Sequence, residues 1–256
     1  MDLSNWLICI PARLESTRLE QKMLQDLCGK PLIARVYENI QSLERKGAKI
    51  VVATDSEKIL DCLVALGVPV ELTSKHHLSG TDRCYEVATK HQRPWVLNVQ
   101  GDEPFISTQD ILSLMRSCLA QPEIQMATMY YKVDTDLNKT DKSHVKVVIS
   151  KSLKALYFSR APIPSEASHA SREETNENYK ESGYNLHMGI YAYRQGTLQR
   201  LIELPASPLE KIEKLEQLRA LENDIPIHCL QAEHHSKGID TLEDLENARR
   251  VFSSRE

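Results

Sequence analysis

The first 130 residues alternate short apolar runs with amphipathic helical patterns, and this alternation constrains the fold more than any other feature. Residues 7–10, 50–54 and 96–99 have the length and apolar character of strands covered on both faces. Helical periodicity follows Pro31, with Ile33, Val36, Tyr37 and Ile40 on one face. Asp55 or Ser56 is the expected cap of a second helix, and Ser107 of a third. Strands that alternate with helices predict an α/β fold with a largely parallel sheet.

The pattern changes after residue 126. Residues 145–149 and 155–158 are β-rich and close together, which predicts an antiparallel element, and residues 186–193 return to strand character. Residues 165–183 show no period and are expected to form a mobile loop. One helix is predicted over 208–221 and a last one after Thr241. No linker divides the chain, so we expect one domain over 1–256, with the β-rich lobe and the mobile loop within about 126–194.

Composition excludes several classes of protein. The formal net charge is -4 and there is no dense stripe of Lys and Arg, so we expect no nucleic-acid partner. No apolar run approaches the ~18–20 residues of a membrane-spanning helix, and the start of the chain lacks the pattern of a signal peptide. The six scattered cysteines are typical of reduced, buried thiols. These features together predict a cytoplasmic protein without membrane insertion.

Two loops carry residues suited to phosphate and metal chemistry. The loop after the first strand contains Arg13, Arg18 and Lys22, at the end of the sheet where α/β proteins bind ligands. Three cations suit a triphosphate, although a solvated basic loop has the same composition. Asp102 and Glu103 directly follow another buried strand, and carboxylates there are candidate ligands of Mg²⁺. A turn built on Asp-Glu-Pro explains the same residues without a metal.

Beyond composition, the R-x-x-S-x-R-x-x-x-K spacing after I-P-A resembles the signature of nucleotidyltransferases that make CMP-activated acidic sugars. The detailed resemblance is to the 3-deoxy-manno-octulosonate cytidylyltransferase (CMP-Kdo synthetase) family. It continues in eight further blocks in the family's order, at residues 52–55, 79–83, 99–104, 145–148, 155–161, 187–191, 215–219 and 238–241. Eight ordered blocks make the resemblance specific.

The resemblance implies a fold and a reaction. The fold is a nucleotidyltransferase Rossmann-like three-layer α/β arrangement, with a small β-rich dimerisation lobe and therefore a homodimer. The reaction is the transfer of CMP from CTP to the anomeric hydroxyl of Kdo, which releases pyrophosphate and gives CMP-Kdo for lipopolysaccharide synthesis. Mg²⁺ is the implied cofactor. The same reaction on 8-amino-Kdo or on another acidic sugar such as sialic acid, and a non-catalytic nucleotide-binding role, stay open as alternatives.

The resemblance also implies roles for individual residues. The implied catalytic residues are Arg13, Lys22, Asp102 and Asp240, of which Asp102 and Asp240 hold the metal. The implied nucleotide-binding residues are Ala12, Arg13, Arg18, Lys22, Ser79, Gly80 and Gln100. The implied sugar-binding residues are Gln100, Arg160, His187, Tyr191, Glu216 and Gln217. Each also has an ordinary structural explanation, for example a packed strand residue for Tyr191 or a solvated helix charge for Glu216.

The chain departs from the family pattern next to the implied catalytic lysine. Family members usually have Pro-Gly directly before Lys22, whereas this chain has Glu20 and Gln21. Glycine gives a backbone conformational freedom that other residues lack, and Glu20 adds a negative charge close to the expected triphosphate. The conformation of this loop is therefore the part of the site that the resemblance predicts least well.

Overall fold

Nine strands form one mixed sheet in the computed structural model, which describes residues 1–16, 18–133, 140–165, 184–236 and 238–254. The loop expected over 165–183 lies, apart from residue 165, outside the described residues. The strands are β1 Trp6–Ala12, β2 Lys49–Thr54, β3 Val70–Leu72, β4 Trp95–Asn98, β5 Met126–Val133, β6 Lys146–Ile149, β7 Ala155–Ser159, β8 Tyr184–Arg194 and β9 Ile227–Gln231. The α-helices are α1 Leu32–Ile40, α2 Glu57–Ala65, α3 Gly80–His91, α4 Thr108–Ala120, α5 Gln195–Glu203, α6 Pro208–Glu213, α7 Gln217–Glu222 and α8 Leu242–Ser253.

The order of the main strands is β3-β2-β1-β4-β8-β5-β9. Strands β1 to β4 are parallel, β8 runs antiparallel to both of its neighbours, and β9 is parallel to β5. The prediction of a largely parallel mixed sheet is therefore confirmed. Its consequence for function is that β1 and β4, which are adjacent, both end at the same edge of the sheet.

Helices cover both faces of the sheet, as the three-layer prediction requires. Along β1, the side chains of Ile8 and Ile10 enter one apolar cluster with α1, α4 and α8, whereas Leu7 and Cys9 enter a second cluster with α3, α5 and α7. Alternate strand residues point to opposite faces, so a strand buried on both sides reads as a continuous apolar run. No helix in the described parts of the chain has the length and apolarity needed to cross a bilayer.

The predicted antiparallel element in the second half of the chain is confirmed. Strands β6 and β7 pair as a hairpin, and β6 joins the main sheet through the register pair Lys146–Leu186. Lys146 is fully buried, and its Nζ donates to the carbonyl oxygens of Asp141, His144 and Arg160 at 2.8, 2.8 and 2.9 Å. This lysine fixes the backbone at Arg160, a predicted sugar-binding residue.

The prediction of a single helix over 208–221 is wrong. The structure has two short helices, α6 and α7, which are separated at Lys214, a residue in the left-handed conformation with φ 54°. The Arg160 guanidinium accounts for the break, because its Nε donates to the carbonyl of Glu213 at 3.0 Å and its Nη2 contacts that of Lys214 at 3.5 Å. The carbonyl oxygens of Glu213 and Lys214 therefore accept hydrogen bonds from Arg160 at the end of α6. The side chain of Ile212, predicted to lie on the buried face of one long helix, is 77% exposed.

Gly101 lies where the loop after β4 passes directly over the end of β1. A Cβ atom at this position would lie 2.8 Å from the carbonyl oxygen of Pro11 and 3.1 Å from Met23 Sδ. Real Cβ atoms do not approach a backbone oxygen this closely, so glycine is required by the space available. The close approach brings the loop containing Asp102 against the loop that contains Lys22.

We predict that Gly101→Ala destabilises the fold by about 1–3 kcal/mol, because the backbone must move to admit the methyl group. Gly196, in α5, has no atom within 4 Å of the corresponding Cβ position. Gly196→Ala is therefore the control, and it should leave stability unchanged or raise it by about 0.5–1 kcal/mol. Urea titration of both variants measures the difference, and equal stabilities would contradict the close approach.

Candidate active site

Segments from four parts of the chain meet at the carboxyl ends of β1 and β4. They are residues 13–16 and 18–22 after β1, the turn 100–103, the start of α3 and the segment 238–240, which precedes α8. The last of these is joined to the second by a backbone hydrogen bond, in which Ile239 N donates to the carbonyl of Asp102 at 2.9 Å. A capping box between Thr241 and Asp244 fixes the start of α8 immediately after Asp240.

The ammonium of Lys22 lies between the two predicted metal ligands. Its Nζ is 2.5 Å from Asp102 Oδ2 and 2.9 Å from Asp240 Oδ1, and Arg18 Nη2 is 2.8 Å from the same oxygen of Asp240. The Lys22 side chain is only 10% exposed. Burial by itself lowers the pKa of Lys22, but the charge and hydrogen bonds of the two carboxylates raise that pKa above its usual value overall.

The donor set at this point fits Mg²⁺. The carboxylates of Asp102 and Asp240, from distant segments, already bind one cation, the Lys22 ammonium. The ammonium occupies a position where a metal ion would also be bound by both carboxylates. No group of three or more His, Cys, Asp and Glu side chains with metal-binding geometry occurs among the described residues. Mg²⁺ typically takes one or two carboxylates and completes its shell with phosphate oxygens and water. Asp102 and Asp240 are therefore the residues that would hold the ion together with a nucleotide.

Glu103, the other candidate ligand from the sequence, has a different environment. Its carboxyl is buried, and its Oε2 has no hydrogen-bond partner among the described residues. Burial, assisted by the neighbouring charge of Asp102, raises the pKa of Glu103 to about 8. The carboxyl is thus mostly protonated at neutral pH and is a poor ligand for a metal.

The N-terminal loop lines a cleft of about 390 Å³, and Gln21 in the wall of this cleft directly precedes Lys22 in the chain. The cleft is lined by Arg13, Leu14, Glu15, Ser16, Glu20 and Gln21. Arg13 is exposed and has no ion pair with any residue that the structure describes. The volume of the cleft is within the range of small-molecule sites. Because the Arg13 guanidinium is exposed and has no such ion pair, it is available to a ligand in this cleft.

Three further predicted nucleotide-binding residues border the same region. Gly80, the first residue of α3, packs against the ring of Pro11, since a Cβ at Gly80 would lie 3.1 Å from Pro11 Cγ. Ser79 caps α3 and accepts a hydrogen bond from Asp82 N at 3.2 Å. Ala12 is the buried last residue of β1. The helix therefore begins beside the end of β1, as the nucleotide assignment requires.

The predicted sugar contacts gather around β8 and the start of α7. Gln100 Nε2 donates to the carbonyl of Gly189 in β8 at 3.0 Å. Glu216 Oε2 accepts from Thr81 Oγ1 at 2.8 Å, which joins the sugar-binding prediction to the start of α3. Burial raises the pKa of Glu216. Gln100 and Glu216 are thus held in place by protein contacts at the border of the nucleotide region.

His187 is held as a neutral ring. Its Nε2 is 2.9 Å from Thr128 Oγ1, and Phe158 and Tyr191 contact the ring at centroid distances of 5.2 Å each. Burial lowers the pKa of His187 to about 3, so the ring carries no charge at neutral pH. A neutral imidazole can donate at one nitrogen and accept at the other, which suits a sugar hydroxyl better than a carboxylate.

Three of the buried polar groups that lack a hydrogen-bond partner among the described residues lie on the predicted sugar side of the site. They are the hydroxyl of Tyr191, the amide nitrogen of Gln217 and the amide oxygen of Asn98. Asn98 and Tyr191 face one another in the register of β4 and β8. Because buried polar groups are normally paired, unpaired ones beside a site are candidates for ligand contacts. Asn98 was not predicted from the sequence, although its amide interrupts the apolar run at 96–99.

Arg160 does not point a free guanidinium at this region. In addition to its contacts with Glu213 and Lys214, its Nη1 donates to the carbonyl of Lys142 at 3.0 Å, and its backbone N donates to Glu213 Oε2 at 3.0 Å. The guanidinium therefore joins the β6–β7 hairpin to the end of α6. Its predicted role as the partner of a sugar carboxylate stays a prediction, and it requires exchange of these carbonyl contacts.

Comparison with known sequences identifies close relatives. Residues 7–227 match the cytidylyltransferase family. The 3-deoxy-manno-octulosonate cytidylyltransferase of Francisella tularensis subsp. novicida (strain U112) is 44% identical, over 98% of this chain and 100% of the relative. The protein of the same name from Neisseria meningitidis serogroup C is 42% identical, with the same coverage of both chains.

Comparison with solved structures finds proteins of similar fold, one of them with a name that matches those of the sequence relatives. A CMP:2-keto-3-deoxy-manno-octonic acid synthetase complexed with CTP has a TM-score of 0.89 and 36% identity, and the match covers 98% of this chain and 99% of that one. A 4-diphosphocytidyl-2C-methyl-D-erythritol synthase from Anaerococcus prevotii has a TM-score of 0.60 at 11% identity, which shows a shared fold alone. The nucleotidyltransferase fold that the resemblance implied is confirmed.

The buried carboxyl of Glu103 generates a prediction about pH. Below about pH 4.5 it is protonated in both the folded and the unfolded chain, whereas between about 4.5 and 8 only the unfolded chain loses the proton. Stability relative to Glu103→Gln should therefore fall across this interval, by about 3–5 kcal/mol in all, and level off above it.

Urea titrations from pH 4 to pH 9 measure this difference. The exposed Glu246, changed to Gln, is the control, and its difference from the unmodified protein should stay small throughout. A difference for Glu103→Gln that does not vary with pH would show that the carboxyl ionises normally.

Proposed function

Because this chain belongs to the cytidylyltransferase family, we propose that it transfers CMP from CTP to the anomeric hydroxyl of Kdo. Pyrophosphate is released, and CMP-Kdo is supplied to lipopolysaccharide synthesis. The observation that carries this proposal is the match to 3-deoxy-manno-octulosonate cytidylyltransferases at 39–44% identity over nearly the whole chain. It is supported by the convergence of Lys22, Asp102 and Asp240 at one end of the sheet.

In this reaction the protein mainly positions its substrates and balances charge. The attacking hydroxyl forms a bond to the α-phosphorus of CTP while the bond to pyrophosphate breaks. Arg13 in the cleft, with Arg18 and Lys22 beside it, compensates the charge of the triphosphate. Asp102 and Asp240 would hold Mg²⁺, which would supply positive charge for the phosphates and would make a coordinated hydroxyl more acidic.

The sugar side of the site supplies neutral polar groups. Gln100, His187, Tyr191 and Gln217 present amide, imidazole and phenol groups, which suit the hydroxyls of an octulosonic acid. The free donors of Tyr191 and Gln217 would find partners there, so sugar binding would remove the cost of leaving them unpaired. Glu216 completes this group next to Thr81.

The oligomeric state and the compartment belong to the same proposal. The chain forms a homodimer through its β-rich lobe, whose hairpin exposes two large apolar side chains, Leu153 at 52% and Leu156 at 59%. Such an interface would cover them. The reaction takes place in the cytoplasm, and the absence of disulfides among its six cysteines is in keeping with a reducing compartment.

The product of the reaction tests the function directly. Incubation with CTP, Mg²⁺ and an equimolar mixture of Kdo and 8-amino-Kdo should give CMP-Kdo as the main product by mass spectrometry, with one pyrophosphate released per product. Preferential formation of CMP-8-amino-Kdo would assign the other acceptor. Binding of CTP without release of pyrophosphate on either sugar would identify a non-catalytic nucleotide-binding protein.

The metal assignment predicts that Asp102→Asn lowers kcat about 100-fold or more, because it removes one ligand charge and keeps the shape of the side chain. Binding of Mn²⁺ in the presence of CTP, measured by electron paramagnetic resonance, should weaken in parallel. Asp224→Asn removes the same charge from an exposed turn before β9 and is the control. Mn²⁺ binding that is equal in both variants would exclude Asp102 as a ligand.

The dimer is tested by light scattering at micromolar concentration. The unmodified protein should have twice the mass of its chain, and Leu156→Glu should give a monomer because it places a charge in the apolar interface. Leu66→Glu, at an exposed leucine after α2, should stay a dimer. A stable monomer in the unmodified protein would contradict the proposed assembly.

A further inference from the structure

Gln21 has a backbone conformation that is unusual for its position and its residue type. Its φ and ψ angles are 47° and 40°, which is the left-handed region that glycine adopts without cost. It directly precedes Lys22 and is the N-cap of the short 3₁₀ turn Lys22–Leu24. The structure therefore has, at a glutamine, a conformation that a glycine would adopt without strain.

The position distinguishes Gln21 from the other non-glycine residues with positive φ. Gln92 and Lys214, for example, follow the ends of α3 and α6, where a left-handed residue is a common way to end a helix. Gln21 instead precedes a helical turn, and no other N-cap among the described elements is left-handed. Helix termination therefore does not explain its conformation.

Lys58 holds the side chain of Gln21 in this conformation. Its Nζ donates to Gln21 Oε1 at 2.5 Å. Lys58 lies in the first turn of α2, which is anchored by the fully buried side chains of Ile59 and Leu63. On the other side, Gln25 Nε2 donates to the carbonyl of Glu20 at 2.7 Å. The loop at Glu20 and Gln21 is thus contacted by Lys58 of α2 and by Gln25, which directly follows the 3₁₀ turn.

Gln21 is joined directly to the lysine that contacts the two carboxylates. Lys22 follows directly in the chain, and its Nζ must reach both Asp102 and Asp240. Gln21 also lines the 390 Å³ cleft and a second cleft of about 250 Å³ beside it. A change of Gln21 to negative φ would therefore move the lysine and reshape the wall of the candidate nucleotide site.

We propose that Lys58 is a positioning residue of the nucleotide site, which holds Gln21 in the left-handed conformation and thereby directs Lys22 toward the two carboxylates. Lys58 acts through Gln21 and has no assigned contact with substrate. The inference rests on the proposed function only in naming CTP as the ligand. Its structural part, the control of the turn at Gln21, holds for any ligand of this cleft.

The test compares Lys58→Met in two backgrounds, the unmodified chain and Gln21→Gly. In the unmodified chain it should weaken binding of CTP about fivefold to tenfold by calorimetry. In the Gln21→Gly background it should have no further effect, because glycine adopts the required angles unaided. Lys58→Arg keeps a donor and should restore most of the affinity. Lys46→Met removes an exposed lysine elsewhere on the surface and should leave binding unchanged.

Hydrogen exchange of the ligand-free protein gives a second readout that requires no substrate. The amides of Leu24 and Gln25 donate to the carbonyls of Gln21 and Lys22 at 2.8 and 3.1 Å, so their protection reports on the turn. Lys58→Met should speed their exchange about fivefold to tenfold in the unmodified chain and leave it unchanged beside Gln21→Gly.

The outcomes separate the competing explanations. Equal weakening of CTP binding in both backgrounds would mean that Lys58 attracts the triphosphate by charge alone, and it would overturn the proposal. Unchanged binding and exchange in Lys58→Met would overturn it as well. If the unmodified protein does not bind CTP, the proposed function fails, and the exchange measurement alone decides the role of Lys58.

Discussion

The site depends on one shared charge, the ammonium of Lys22 between Asp102 and Asp240. The three residues come from a loop after β1, a turn after β4 and the segment before α8, and Lys22 and Asp240 are 218 positions apart. A lysine this buried is stable only when its charge is compensated, so the carboxylates and the lysine fix one another's positions. The backbone bond from Ile239 to Asp102 and the tight passage at Gly101 serve the same convergence.

The mixed topology of the sheet adds the second half of the site. Because β8 is inserted antiparallel between β4 and β5, its residues face the end of β4, and Asn98 is placed opposite Tyr191. The same insertion puts Gly189 beside Gln100. A purely parallel continuation would leave this edge to the nucleotide loops alone. One reversed strand therefore brings neutral polar groups next to a cluster of charges, which is the combination that a nucleotide and a polyhydroxylated acid require.

Local sequence patterns predicted most of the strands and helix starts. The features that they did not predict depend on contacts between residues far apart in the chain. Strands β1, β2 and β4 and the caps Ser56, Ser107 and Thr241 follow from periodicity and side-chain chemistry within a few residues. The break at Lys214 depends on Arg160, more than fifty residues away, and no local pattern contains it. Asp240 was placed in the site only through family resemblance, and its contact with Lys22 was not predicted. Asn98 was absorbed into the prediction of a strand, because a single amide does not end an apolar run.

The proposed Mg²⁺ would supply positive charge that the side chains of the site lack. The loop after β1 contains three basic residues that suit a triphosphate. Two of them are already paired, because Arg18 and Lys22 both contact Asp240, and Lys22 also contacts Asp102. The cleft wall itself carries Arg13 against Glu15 and Glu20. These groups leave little net positive charge for a triphosphate, which is attracted in proportion to uncompensated charge. Under the proposed function, Asp102 and Asp240 would hold Mg²⁺ in place of their contacts with Lys22, and the ion would offset part of the charge of the triphosphate. Lys22 would then be available to the phosphates, so one exchange of partners would satisfy both groups.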